Sequence, residues 1–123
     1  MDRYATFHDL AGQSVFITGG GSGIGAALTE GFVAQGARVA FVQRSDASAF
    51  AAGLGERHGA APLFLPCDIT DIPALQAAMA EAAAANGPIT VLVNNAANDQ
   101  RHPIEGFTVE EWDAMQDVNL RPH

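Results

Sequence analysis

One stretch constrains this chain more than any other. Residues 15–25 read VFITGGGSGIG. Val15, Phe16 and Ile17 favour a strand, Thr18 to Gly23 holds too much glycine for strand or helix, and from Ile24 apolar residues fall at helical spacing, at Ile24, Leu28 and Phe32. The expected order is strand, glycine turn, helix. Such a turn lets the backbone reverse sharply and lets a ligand approach with no Cβ in the way. Unpartnered N–H groups at the helix start, together with the helix dipole, favour a phosphate there. The plainer alternative is a tight turn that holds nothing. It does not account for so many glycines, which weaken a fold unless something needs the space.

Composition narrows the classes. A chain of 123 residues suits one domain, and 48% hydrophobic content suits a folded one. A net charge of −8 argues against nucleic acid or an anionic membrane as partner. A dinucleotide is anionic too, but local backbone donors can hold it. No apolar run reaches membrane-spanning length, and the N-terminus lacks the apolar core of a signal peptide, so a cytoplasmic location is expected. Cys67 is the only cysteine, and His8, His58 and His123 are scattered, so no disulfide, metal site or catalytic triad is expected. All six basic residues are arginine; there is no lysine, and Tyr4 is the only tyrosine.

The remaining elements follow in order. Strands are expected at about 14–18, 38–43, 62–66 and 89–93. The first helix runs from about Gly23 to Gln35, ending at Gly36. The second spans about 46–58, with Ala49, Phe50, Gly53 and Leu54 on or near one face. A third is capped by Asp71, carries Pro73 in its first turn and runs to about Asn86, with Leu75 and Met79 inward. Residues 96–106 form a polar loop. Thr108 and Glu111 make a capping-box pattern ahead of a last helix with Trp112, Met115 and Val118. Alternation of strands and helices predicts an α/β fold: a Rossmann-type, doubly wound parallel sheet of strand order 3-2-1-4 with helices on both faces. The ligand crevice should lie beyond the carboxyl ends of strands one and four. Strand four is apolar on both faces, as a central parallel strand would be.

The spacing of the glycines is specific. The common dinucleotide fingerprint G-x-G-x-x-G fails, because Ile24 and Leu28 stand where its last glycine would fall. Thr18-Gly19-x-x-x-Gly23-x-Gly25 is present instead. It resembles the cofactor loop of the short-chain dehydrogenase/reductase family. Asp68, Asn94 to Ala96 and Asn119 extend the resemblance from about Leu10 to the end of the chain.

The resemblance implies NAD or NADP held by Gly19, Gly21, Ser22, Gly23, Ile24 and Gly25, by Arg44 and Ser45, by Asp68 and Ile69, and by Asn95, Ala96 and Ala97. An NAD-specific fold usually offers an acid at the end of the second strand. Here Gln43 is neutral and Arg44 can pair with a 2′-phosphate, so NADP is preferred. Asp46, close by, would oppose a phosphate or cap the next helix. Asp68 resembles the family aspartate that accepts from the adenine amino group, and Cys67 beside it reads as buried filler. Ala97 replaces the family's usual glycine, which strains the backbone only if that position needs a positive φ. Asn98, Arg101 and His102 resemble the loop of bacterial aldose 1-dehydrogenases, which implies a sugar substrate. Asn119 resembles the catalytic asparagine that holds a water in a proton relay.

Family members also use a serine and a Tyr-x-x-x-Lys motif. With no lysine and no late tyrosine, the chain is expected to be the N-terminal half of an enzyme, inactive alone, whose full-length form is a dimer or tetramer. Two other readings stay open: a non-catalytic dinucleotide-binding fragment, and a methyltransferase. The latter usually carries an acid where Thr18 stands.

Overall fold

The computed structural model describes residues 5–123; Tyr4, the only tyrosine, falls outside them. After a 3-10 turn at His8–Leu10 come β1 (Ser14–Thr18), α1 (Gly23–Ala34), β2 (Arg38–Gln43), α2 (Ser48–His58), β3 (Leu63–Pro66), α3 (Ile72–Asn86), β4 (Val91–Val93) and α4 (Val109–Asn119). The sheet is parallel throughout, in the order β3-β2-β1-β4. That is the expected topology.

β1 is buried along its whole length, because it is paired on both sides and covered on both faces. Its alternate side chains feed two cores. Val15 and Ile17, with Val39 and Phe41 of β2, pack against Val33 of α1 and Ala51 and Leu54 of α2. Phe16, with Ala40 and Val42, packs against Leu75, Ala78 and Ala82 of α3. Phe41 stacks on Phe64 at 5.2 Å and meets Phe50 edge-on at 5.9 Å. Each fully buried side chain of this size contributes about 1.5–3 kcal/mol, which makes β1 and β2 the rigid base for the loops at their carboxyl ends.

The local capping signals hold where side chains act on their own neighbours. Asp71 caps α3 by accepting from the Ala74 N–H at 3.1 Å. Thr108 and Glu111 form the reciprocal capping box of α4. Other expectations shift. The buried stripe of α1 is Gly25, Thr29 and Val33, while Ile24 is 77% exposed; the helix turns its glycine, not its isoleucine, onto the end of β1. α2 starts at Ser48, because Asp46 folds back to take the Ser48 N–H and hydroxyl ahead of the helix, and it buries Ala51 while Ala49 is exposed. β4 is shorter than expected; it lies at the sheet edge, as the order 3-2-1-4 requires, with Leu92 51% exposed. α4 ends at Asn119.

Candidate functional site

Because the four strands run parallel, their carboxyl ends share one edge, and a cavity of about 700 Å³ opens there. Its size falls in the ~300–1,000 Å³ range of small-molecule sites. Gly19 and Ser22 after β1, Val42 to Ser45 at the end of β2, Cys67 to Thr70 after β3, Ala96 to Asn98 after β4, and Val118 of α4 form its wall.

The glycine loop is held from two sides. The Gly19 N–H donates to the Val42 carbonyl at 2.8 Å. Asn95 Nδ2 donates to the Thr18 and Gly19 carbonyls at 3.1 and 3.2 Å, and Thr18 Oγ1 accepts from the Asn95 and Ala96 N–H groups at 3.0 Å each. These four bonds tie the ends of β1 and β4 together. Gly25 presses against the same loop: a Cβ there would stand 1.8 Å from the Gly19 carbonyl oxygen. Only glycine lets α1 start so close. Ser22, at the helix N-cap, makes no side-chain cap hydrogen bond. The first N–H groups of α1 therefore carry no side-chain acceptor, and together with the dipole they form a place for an anion.

At the end of β2, Gln43 Nε2 donates to the Ser45 carbonyl and hydroxyl at 3.0 and 3.1 Å, which folds the side chain over Gly21. Arg44 is exposed on the cavity wall. At the end of β3, Asp68 Oδ1 accepts from the Thr70 hydroxyl and N–H at 2.7 and 3.0 Å. Those bonds, the hydroxyl first, hold the carboxyl below its ordinary range, with the Arg44 charge adding to them. Cys67 is buried, and its thiol is pushed up by burial and then by the charges of Asp68 and Asp71. A protonated, buried thiol is a poor nucleophile. Ala97 is unstrained: among the described residues only glycines take a positive φ.

Beyond β4 the loop lies back on α4. Asn98 is bonded through its backbone to the Asn119 side chain, while its own Oδ1 accepts from the Gln100 N–H at 2.9 Å. His102 Nδ1 stands 3.5 Å from Glu111 Oε1, and its ring lies 5.2 Å from that of Phe107. Arg101 is exposed, and neither it nor His102 is part of the cavity wall.

Residues 13–123 match the sequence model of the short chain dehydrogenase family. The chain belongs to the short-chain dehydrogenase family. Among curated relatives, it is 49% identical over 117 residues to a probable galactose dehydrogenase of Rhizobium meliloti, covering 94% of this chain and 46% of that protein. It is 44% identical over 119 residues to a D-xylose 1-dehydrogenase of Caulobacter vibrioides, covering 95% and 46%. A solved short chain dehydrogenase from Burkholderia cenocepacia, in complex with NADP, superposes with a TM-score of 0.85 at 34% identity, over 92% of this chain and 47% of that one. The chain thus spans about half the length of the relatives it matches.

Of the residues carried over from the short-chain dehydrogenase pattern, Gly19, Ser22, Arg44, Ser45, Asp68, Ile69, Ala96, Ala97 and Asn98 meet at one cavity. Gly21, Gly23, Ile24 and Gly25 complete the adjoining loop and helix start, and Asn95 braces the loop from behind. Asn119 reaches the site through Asn98. Val42, Gln43, Cys67, Thr70 and Val118 also line the cavity and are not among the residues expected there from the sequence, where Cys67 reads as buried filler. Gln43, Cys67 and Thr70 adjoin expected site positions, and Val42 lies at the end of β2, so strand ends are the available signal; nothing local marks Val118.

Proposed function

We propose that this chain forms the dinucleotide-binding part of an oxidoreductase that moves a hydride between NADP, or less favourably NAD, and the C1 hydroxyl of an aldose. The observation that carries the reading is the uncapped start of α1 packed through Gly25 against the glycine loop, at the mouth of a large cavity. The residues present fit a dinucleotide. Backbone N–H groups at the helix start meet its phosphates, Arg44 meets a 2′-phosphate, and Asp68, ionised and with Oδ2 free of any described partner, accepts from an adenine amino group. When bound, the nicotinamide supplies the hydride chemistry. Asn98, Arg101 and His102, on the loop after β4, offer donors to sugar hydroxyls, and Asn119 keeps one N–H and one lone pair for a water. The names of the galactose and xylose dehydrogenase relatives support an aldose. The NADP-bound structural neighbour supports the cofactor.

Hydride transfer to or from a hydroxyl needs a group that gives or takes its proton. The chain offers no lysine and only Tyr4 among tyrosines, which favours a second reading in which these 123 residues bind a dinucleotide and catalyse nothing alone. The exposed Leu92 on the β4 edge, the exposed Val109 and Trp112 of α4 and the exposed Leu120 just past its end support further polypeptide there, as in a dimer or tetramer of the whole enzyme. No helix among the described residues is long and apolar enough to cross a membrane, and a cytoplasmic location is proposed. The test is calorimetric titration of the chain with NADP and NAD, then assay of the whole enzyme with aldoses and simple alcohols. Dinucleotide binding and aldose turnover are expected. Turnover of simple alcohols with no aldose active would remove the sugar assignment.

A further inference from the structure

Thr29 is a polar residue on the core-facing side of α1, and it is wholly buried. A helical threonine usually bonds the carbonyl four residues back. Thr29 instead donates its hydroxyl to the Gly20 carbonyl at 2.8 Å, nine residues away and inside the glycine loop. The loop is seated tightly at this point. A Cβ on Gly20 would lie 2.5 Å from Phe41 Cβ and 2.7 Å from Thr29 Oγ1.

The peptide that this bond grips lies between Gly20 and Gly21. A peptide unit flanked by two glycines has no Cβ to resist rotation as a whole, so it is the kind most free to flip. The unit is planar and trans, and its C=O and N–H point in opposite directions. With the Gly20 carbonyl drawn inward to Thr29, the Gly21 N–H must point outward. That N–H has no acceptor among the described residues, and Gly21, though not itself part of the cavity wall, lies in sequence between Gly19 and Ser22, which both line it.

We propose that Thr29 is a positioning residue for dinucleotide recognition: its buried hydroxyl fixes the Gly20–Gly21 peptide so that the Gly21 N–H is presented as a donor to the ligand. This rests on the dinucleotide reading above. Without the hydroxyl the peptide samples both orientations, and the fraction able to donate falls. Affinity falls with that fraction.

The experiment compares the 123-residue chain with Thr29→Val, Thr29→Ser and Thr29→Ala. NADP affinity is read by calorimetry, the Gly20 and Gly21 amide resonances by NMR, and global stability by urea unfolding. Thr29→Val is expected to weaken NADP binding by roughly five- to tenfold, the scale of one lost buried hydrogen bond. It should also shift or broaden the two glycine amides in the free protein. Thr29→Ser should restore both. If the valine variant does not fold, serine against alanine isolates the hydroxyl. Equal NADP affinity in Thr29→Ser and Thr29→Ala would overturn the positioning role while the dinucleotide reading stands. No NADP binding by the unsubstituted chain would overturn both.

Discussion

Asn98 and Asn119 hold each other in a closed pair: the Asn98 N–H donates to Asn119 Oδ1 at 2.7 Å, and Asn119 Nδ2 donates to the Asn98 carbonyl at 2.8 Å. The two residues are 21 apart, one after β4 and the other at the end of α4. The side chain that the family resemblance marks as catalytic is also the clamp that fixes the rim of the cavity. Asn119→Ala removes both bonds, each worth about 0.5–1.5 kcal/mol. Hydrogen exchange at the Asn98 amide should quicken in that variant, with the core amides of β1 unchanged. Asn119→Asp keeps the acceptor but places a carboxylate against the Asn98 carbonyl, so it should protect the Asn98 amide only in part. Unchanged exchange in the alanine variant would show that the rim does not depend on the clamp.

Arg44 tests the choice of cofactor. It stands exposed on the cavity wall, with no acid at Gln43 beside it. Removing a charge-assisted contact to a 2′-phosphate should raise the NADP dissociation constant about tenfold in Arg44→Ala and leave NAD nearly unchanged. Equal losses for both dinucleotides would mean that Arg44 does not read the phosphate.

Two glycines of the same loop should respond differently to alanine. A Cβ on Gly25 meets the Gly19 backbone, which cannot move without disturbing β1, so Gly25→Ala should cost about 3 kcal/mol or more. The three atoms nearest to a Cβ on Gly21 are all at the far end of Gln43, a flexible side chain. Gly21→Ala should cost under about 1 kcal/mol and release Gln43 from Ser45. Urea unfolding of both variants checks the ranking, and similar losses would contradict it.

Glu30 joins α1 to α2 through a single oxygen, Oε1, which lies 3.0 Å from His58 Nε2 and accepts from Arg57 Nη2 at 3.2 Å. Bonding to His58 first, and then to Arg57, holds the carboxyl below its ordinary range. A lowered folded-state pKa means that the unfolded chain takes up its proton at higher pH than the native state does. The stabilisation is therefore complete above the unfolded value of about 4.3 and fades as pH falls through the lower native one. Glu30→Gln should be less stable than the parent at pH 7, with the gap in unfolding midpoint closing below about pH 4. A gap that stays constant down to pH 3 would mean the charge is not the source.

The sequence by itself determined the elements and the topology. Alternating apolar strands and helical stripes, the Asp71 cap and the Thr108–Glu111 box all act between residues a few positions apart, so they are written locally. Glycine spacing placed the loop, and Arg44 and Asp68 followed from strand ends. Tertiary structure decided which side chains meet. Thr18 and Asn95 join across 77 positions because β4 lies beside β1 in the sheet. The helix α1 buries Thr29 and exposes Ile24 because Gly25 sets its closest approach to β1. No periodicity carries such pairings: they depend on strand order and on the distance at which a helix can pack, and both are fixed only when the whole sheet has formed.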